Sequence, residues 1–119
     1  MENHSMIKNS IVLVPFPFDD FSITKVRPAI CLTSEIGEFD HVIIAFITSK
    51  IPEVLINSDL VITKQSDYFI GTGLSIDSAI RLHKIVTIPK SLIKRRLGRI
   101  NKSLELELNR KLKELFEII

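Results

Sequence analysis

Residues 41–48, HVIIAFIT, form an apolar segment in which β-branched side chains dominate and no glycine or proline occurs. Such a composition is typical of a buried β-strand. Short runs of the same kind, separated by polar stretches, recur along the chain up to residue 88. We therefore predict five strands, at residues 11–15, 29–33, 41–48, 60–63 and 78–88.

The segment after the first predicted strand, FPFDDFSITKV at residues 16–26, is predicted to be a loop. Pro15 and Pro17 lack amide donors and must end that strand or lie on its edge. The loop carries three phenylalanines, and exposed aromatic side chains on a polar loop are one sign of a binding loop. The alternative is that they turn inward to the core, which we expect of at least one of them.

The periodicity changes after residue 88. Pro89 is suited to open a short helical turn at residues 89–95, and Gly98 is predicted to break the chain. Asn101 or Ser103 can then cap a final helix that runs to about Glu117. Apolar residues at steps of three and four form one stripe along this helix, with Leu106 off the stripe. The outline is a small twisted antiparallel sheet, open or closed as a barrel, with one helix packed on it.

Length and composition exclude several classes of protein. The 119 residues suit a single domain, residues 1–119, with 1–9 as a mobile tail. Apolar runs are far shorter than the roughly 20 residues of a spanning helix, and the polar N-terminus does not resemble a signal peptide. We therefore expect a cytoplasmic protein without a membrane association.

Metal and disulfide chemistry are not expected either. Cys31 is the only cysteine, which excludes an internal disulfide and a thiolate zinc site. It lies within an apolar run, so we interpret it as a small buried hydrophobe. The three histidines, His4, His41 and His83, are far apart in sequence. The sequence predicts no metal ligands and no cofactor.

The cations are unevenly distributed. Residues 81–102 contain eight of the 16 lysines and arginines and no carboxylate, although the formal net charge is only +2. Such a stretch is a candidate surface for phosphate groups. The alternative is a solvated face that acids from other parts of the fold balance.

A few polar residues stand where chemistry is possible. Arg27 precedes Pro28, which favours an extended backbone at a junction between loop and strand. Thr48 ends an apolar strand, and Arg81 and His83 have the same parity on the last β-run. Metal-free cleavage of RNA needs an acid, a base and cations at the phosphate. Imidazole suits proton transfer, and guanidinium suits the phosphate. Ordinary surface pairs of arginine and histidine are the alternative.

These residues belong to segments that resemble the PemK/MazF-type toxins of bacterial toxin–antitoxin systems. The resemblance lies in three segments in order: IVLVPFPFDDFSITKVRPAICLTS at 11–34, AFITSK at 45–50 and SAIRLHKIVTIPKSLIKRRLGRI at 78–100. Together with the C-terminal helix they cover nearly the whole chain.

The resemblance implies a mainly β (α+β) fold, an SH3-like, strongly bent antiparallel barrel of the CcdB, Kid and MazF type with a C-terminal helix. It also implies a homodimer and a cytoplasmic mRNA interferase, that is, a metal-independent, sequence-specific endoribonuclease. Such enzymes cleave single-stranded RNA by attack of the 2′-hydroxyl and leave 2′,3′-cyclic phosphate and 5′-hydroxyl ends. A cognate antitoxin protein blocks the RNA site.

Carried over by position, the resemblance implies that Arg27, Thr48 and Arg81 are catalytic. His83 is the fourth predicted catalytic residue, although it stands where some members of the family have an aspartate. Asn9-Ser10 is a second departure, replacing the usual Gly-Asp before the first strand. Residues 94–99 are predicted to extend the RNA surface or to contact the antitoxin. The predicted RNA contacts are Phe18, Phe21, Lys25, Ser49 and Lys84.

Two further functions remain open on the same fold. Related dimers poison DNA gyrase through their C-terminal helix without catalysis, and the apolar end of this chain, residues 116–119, is suited to docking. The histidine at position 83 also leaves open a degenerate member with little activity.

Overall fold

The computed structural model describes residues 7–15 and 25–119. In these two ranges six strands and one α-helix follow each other along the chain, with single 3-10 turns at Asp67–Phe69 and Lys90–Leu92. The strands form one antiparallel sheet in the order β4-β5-β3-β2-β1-β6. Their bounds are β1 Ser10–Pro15, β2 Val26–Cys31, β3 His41–Thr48, β4 Asp59–Ile62, β5 Ser78–Pro89 and β6 Arg95–Arg99, followed by α1 Lys102–Leu115.

The five predicted strands are confirmed, and β3 has the predicted bounds. Strand β2 begins three residues earlier than predicted, because its pairing with β1 extends to Val26 opposite Pro15. Arg27 therefore lies within β2 rather than at a junction between loop and strand. Pro28 is tolerated because the ladder between β2 and β3 begins only at Ala29, so no partner on that side needs its missing amide.

Strand β6 was not predicted. The expected helical turn is limited to Lys90–Leu92, and Gly98 lies inside a strand that pairs with β1. Gly98 permits a close backbone approach, since a Cβ atom at this position would lie 2.3 Å from the carbonyl oxygen of Gly71. The amide of Arg99 donates to that same oxygen at 2.9 Å. The loop around residue 71 thus covers the outer edge of β6.

Alternation along the strands divides the core into two clusters on the two faces of the sheet. On β3, Val42, Ile44 and Phe46 pack in one cluster, and Ala45 and Ile47 pack in the other. The alternation changes phase within β5, where a register shift against β3 takes the partner of Ala45 to Ile85 and that of Ile47 to Ile80. This irregularity bends β5.

Helix α1 covers one of these faces through Leu104 and Leu108, both buried. Asn101 is the N-cap, as predicted, and its Oδ1 accepts a hydrogen bond from the amide of Leu104 at 2.9 Å. Leu106 is exposed, in agreement with its predicted place off the apolar stripe. No helix in the described ranges has both the length and the apolar character needed to cross a bilayer.

Cys31 has no exposed surface. Burial, with a smaller contribution from the charge of Glu35, raises the pKa of its thiol to about 11. The side chain is therefore a neutral thiol at neutral pH and acts as a small apolar residue, which agrees with the interpretation of the sequence.

Candidate functional site

A cleft of about 550 Å³ lies at the end of the sheet where β2 and β3 separate. Residues 73–78, β5 and β6 form its other walls. Five cations and four hydroxyl side chains line the cleft, and none of the described lining residues is acidic. The cations are Arg27, Lys50, Arg81, Lys84 and Arg95, and the hydroxyls are those of Thr48, Ser49, Ser75 and Ser78.

Strand register explains how residues that are distant in sequence meet in this cleft. The ladder between β2 and β3 ends with Ala29 opposite Phe46, and its continuation places Arg27 opposite Thr48. On the other side of β3, Thr48 pairs with Ala79. Arg81 follows two residues later and projects from the same face. Arg27, Thr48 and Arg81 thus line one cleft although they lie on three strands.

Thr48 also shapes the chain that leaves β3. Its Oγ1 accepts a hydrogen bond from the amide of Lys50 at 3.0 Å. This short-range bond turns the backbone at the strand end, where hydroxyl residues commonly stabilise turns. Ser49 and Lys50 thereby stay in the wall of the cleft.

Arg81 is held by a carboxylate. Its Nε donates to Asp59 Oδ1 at 2.8 Å, and its Nη2 lies 3.5 Å from Asp59 Oδ2. Burial by itself raises the pKa of Asp59, but the hydrogen bonds from Arg81 and from the Ile56 amide outweigh it and bring the pKa below its usual value. Asp59 is therefore ionised at neutral pH.

His83 lies beside the cleft and does not line it. Its Nδ1 is 2.8 Å from the Ser58 hydroxyl. Arg81 thus contacts Asp59, and His83 contacts the preceding residue, Ser58. Such polar pairs are what the alternative interpretation of these two residues expected. Only Arg81 of the two reaches the cleft wall.

The predicted RNA contacts fall into three groups. Ser49 and Lys84 line the cleft. Lys25 is exposed and is not among the lining residues. Phe18 and Phe21 lie outside the described residues.

Sequence reasoning missed Lys50, Ser75 and Ser78 as cleft residues and Asp59 as the partner of Arg81. Lys50 and Ser78 lie at the ends of segments that carry the family resemblance but were not singled out, and Ser75 and Asp59 belong to none of these segments. Only the pairing of β4 with β5 brings Asp59 opposite Arg81. Arg95 did carry a signal, because it lies in the basic stretch 81–102.

The basic stretch serves several purposes. Arg81, Lys84 and Arg95 line the cleft, whereas Lys90 Nζ pairs with Glu35 at 2.8 Å. Arg99 Nη2 donates to the carbonyl oxygen of Lys8 at 3.2 Å. The interpretation of a solvated face balanced by acids thus applies to Lys90, and a phosphate-facing surface stays a prediction for the three cations in the cleft.

Metal ligands are not clustered in the part of the chain that the structure describes. No three histidine, cysteine, aspartate or glutamate side chains in residues 7–15 and 25–119 lie close enough together to hold an ion.

Comparison with known proteins gives a family and a fold. Residues 8–116 match the family described as PemK-like, MazF-like toxins of type II toxin–antitoxin systems. A search among curated protein sequences found no match. Solved structures similar in fold include the Mycobacterium tuberculosis toxin MazF-mt6, which is 20% identical with a TM-score of 0.70 over 92% of this chain and 98% of that one.

Two other solved structures are similar. An endoribonuclease in complex with its cognate antitoxin, from a mycobacterial species, is 10% identical with a TM-score of 0.71 over 95% of this chain and 96% of that one. A further M. tuberculosis toxin is 22% identical with a TM-score of 0.60, over 74% and 90% of the two chains. The predicted fold class, a bent antiparallel β-structure with a C-terminal helix, is confirmed.

Proposed function

Because the chain belongs to the PemK-like, MazF-like family of toxins of type II toxin–antitoxin systems, we propose that it is an endoribonuclease that cleaves single-stranded RNA. The observation that carries the proposal is the cleft, whose described lining residues include five cations and no acid. A polyanion is the ligand that such a charge distribution favours. Apolar side chains also line the cleft, among them Leu13, Val26 and Phe46, and unpaired bases can pack against such side chains.

The proposed reaction is attack of a ribose 2′-oxygen on the adjacent phosphorus. The bond from phosphorus to the 5′-oxygen breaks, a 2′,3′-cyclic phosphate forms, and the leaving oxygen takes up a proton. Negative charge grows on the phosphate oxygens during this step. Arg27 and Arg81 offset that charge, and the Thr48 hydroxyl donates a hydrogen bond to a phosphate oxygen.

Proton transfer is assigned to His83 in this proposal. Arginine stays protonated at neutral pH and cannot act as a base, whereas imidazole can give and accept a proton. His83 does not line the cleft, so RNA on which it acts must extend past the wall formed by Arg81. Because Nδ1 is at Ser58, Nε2 is the ring atom proposed for this task. Comparison of His83→Ala with His83→Asp tests it: we expect the aspartate to retain more cleavage than the alanine.

The proposed partners follow from the same cleft. An acidic segment of a cognate antitoxin is expected to occupy it and exclude RNA, as the charge of the lining residues favours. We also propose that the protein acts as a homodimer in the cytoplasm.

The test is incubation of the purified protein with a mixed-sequence RNA in EDTA, with the cleaved ends mapped by primer extension. We expect cleavage at a short sequence, and at least a hundredfold loss of rate in Arg27→Ala, since one preorganised donor to a developing oxyanion is worth about 10²–10³ in rate. Arg110→Ala is the matched control, because Arg110 is an exposed arginine of α1 that pairs with Glu107 and Glu114. Equal rates for Arg27→Ala and wild type, or no cleavage by the folded protein, would contradict the proposal.

Exposed apolar side chains at the C-terminus favour a second candidate, a non-enzymatic poison of DNA gyrase. Phe116 and Ile118 are 57% and 60% exposed. Inhibition of supercoiling by the purified protein, in the absence of RNA cleavage, would support this function instead.

A further inference from the structure

Asp59 is a buried acid directly behind the cleft. Its side chain has no exposed surface, while that of Arg81, its cross-strand partner, is 24% exposed. A buried carboxylate is costly unless it is paired and hydrogen-bonded. Burial of a carboxylate at this position therefore has a free-energy cost that an apolar residue of similar size would not have.

The carboxylate is itself held in place by the backbone. Its Oδ2 accepts a hydrogen bond from the amide of Ile56 at 3.1 Å, and the Asp59 amide donates to the Ile56 carbonyl at 2.9 Å. Asp59 also starts β4, so its backbone is fixed by the ladder with β5. Both the side chain and the backbone of Asp59 are thus held by contacts other than the one with Arg81.

The contact with Arg81 is one-sided. Asp59 engages Nε and, more weakly, Nη2, which occupies two of the five N–H donors of the guanidinium. These two bonds do not use the N–H groups of Nη1 or the second N–H of Nη2. Arg81 also lines the cleft. An arginine side chain has several rotatable bonds, and a partner at Nε removes most of that freedom.

We propose that Asp59 is a positioning residue that holds the Arg81 guanidinium so that its remaining N–H groups face an RNA phosphate in the cleft. This inference rests on the proposed function and deepens it. One consequence separates this role from that of a merely structural ion pair. Loss of Asp59 lowers the rate of cleavage more than it lowers RNA affinity, and the loss of rate is larger than the loss of stability explains.

Asp59→Asn is the variant of choice because it keeps the size of the side chain. An amide offers one oxygen where the carboxylate offers two, so either Ile56 or Arg81 then faces a donor. Misplacement of a catalytic group by about 1 Å can cost 10²-fold in rate. We therefore expect kcat to fall about 10- to 100-fold and KM to change less than about threefold. Asn101→Ala serves as the control for stability, since it removes a helix cap that takes no part in the cleft.

A second readout does not depend on cleavage. The Nε–H of Arg81 is expected to exchange slowly with water. Its signal in nitrogen–proton correlation spectra is assigned by its absence in Arg81→Lys. Its resonance is expected to shift when a 2′-deoxy oligonucleotide, which cannot be cleaved, is added. In Asp59→Asn we expect exchange at least about tenfold faster and no such shift.

These readouts separate the two ideas. Unchanged kcat in Asp59→Asn, or an equal loss in Asn101→Ala, overturns the positioning role while cleavage by wild type upholds the proposed function. If wild type does not cleave RNA but the Arg81 resonance shifts with the oligonucleotide only when Asp59 is present, the proposed function fails and the positioning role stands for binding. Absence of the shift in wild type overturns the positioning role.

Discussion

Asp59 is a residue beside the cleft whose pKa is shifted by its surroundings. Its pKa lies below the usual value because hydrogen bonds from Arg81 and Ile56 outweigh the cost of burial. The unfolded chain therefore binds a proton at this residue at a higher pH than the folded protein does. The resulting stabilisation is complete above the unfolded pKa of roughly 4 and is lost as the pH falls through the folded value.

A pH series of urea unfolding tests this linkage. We expect Asp59→Asn to lower the free energy of unfolding by about 1–3 kcal/mol at pH 7, the cost of a lost charged hydrogen bond. The gap in free energy of unfolding between the variant and wild type should narrow as the pH falls below about 4 and through the folded pKa. A gap that stays constant down to pH 2 would contradict the assigned ion pair.

Strand β6 depends on a glycine that the sequence suggested was a breaker. A methyl group at Gly98 would lie 2.3 Å from Gly71 O and 2.6 Å from the carbonyl carbon of Thr72, both backbone atoms that cannot rotate away. The loop around residue 71 must then leave the edge of β6. Because Gly73 and Leu74 of this loop line the cleft, its displacement reaches the functional site.

We expect Gly98→Ala to reduce the free energy of unfolding by about 1–3 kcal/mol, as overpacking commonly does. RNA binding is expected to weaken as well. Gly37→Ala is the comparison, since a Cβ atom there meets nothing within 4 Å and the cost is limited to a φ of +73°. Its RNA binding should match wild type. A Gly98→Ala protein within about 0.5 kcal/mol of wild type would show that the close approach is not tight.

The molecule as a whole concentrates positive charge at one place although its net charge is only +2. Acidic residues balance cations elsewhere, for example at Lys90 with Glu35 and at Arg110 with Glu107. The cleft with its five cations is lined by no acid among the described residues, and of the five Arg81 is paired with Asp59 behind the wall. Its field, rather than the net charge, is expected to govern binding of RNA.

Salt dependence measures this field. With at most five phosphates neutralised, the logarithm of the association constant for a 2′-deoxy oligonucleotide should fall with the logarithm of salt concentration with a slope of up to about −3.5. Arg27→Ala should make the slope shallower by about 0.7, and Arg110→Ala should leave it unchanged. The association constants are measured by fluorescence anisotropy at salt concentrations from about 50 to about 300 mM. A flat dependence in wild type would argue against phosphate binding in the cleft.

Local chemistry was sufficient to predict much of this protein from its sequence. Apolar β-branched runs predicted five of the six strands, and the cap at Asn101 and the leucine spacing predicted the final helix, because these signals act between near neighbours. Arg27, Thr48 and Arg81 were recognised as candidate site residues from their places beside proline, at a strand end and within an apolar strand. Their catalytic roles belong to the proposed function.

Tertiary structure alone decided the rest. β6 contains no β-branched residue, and it exists because β1 and the loop around residue 71 supply its hydrogen bonds from afar. The pairing of Asp59 with Arg81 and the position of His83 outside the cleft follow from the register of β4 and the bend in β5. Register is set by packing over the whole sheet, which no short segment encodes. Local sequence thus determined five of the six strands, the helix and which residues have suitable chemistry, and long-range pairing determined β6 and which of those residues meet.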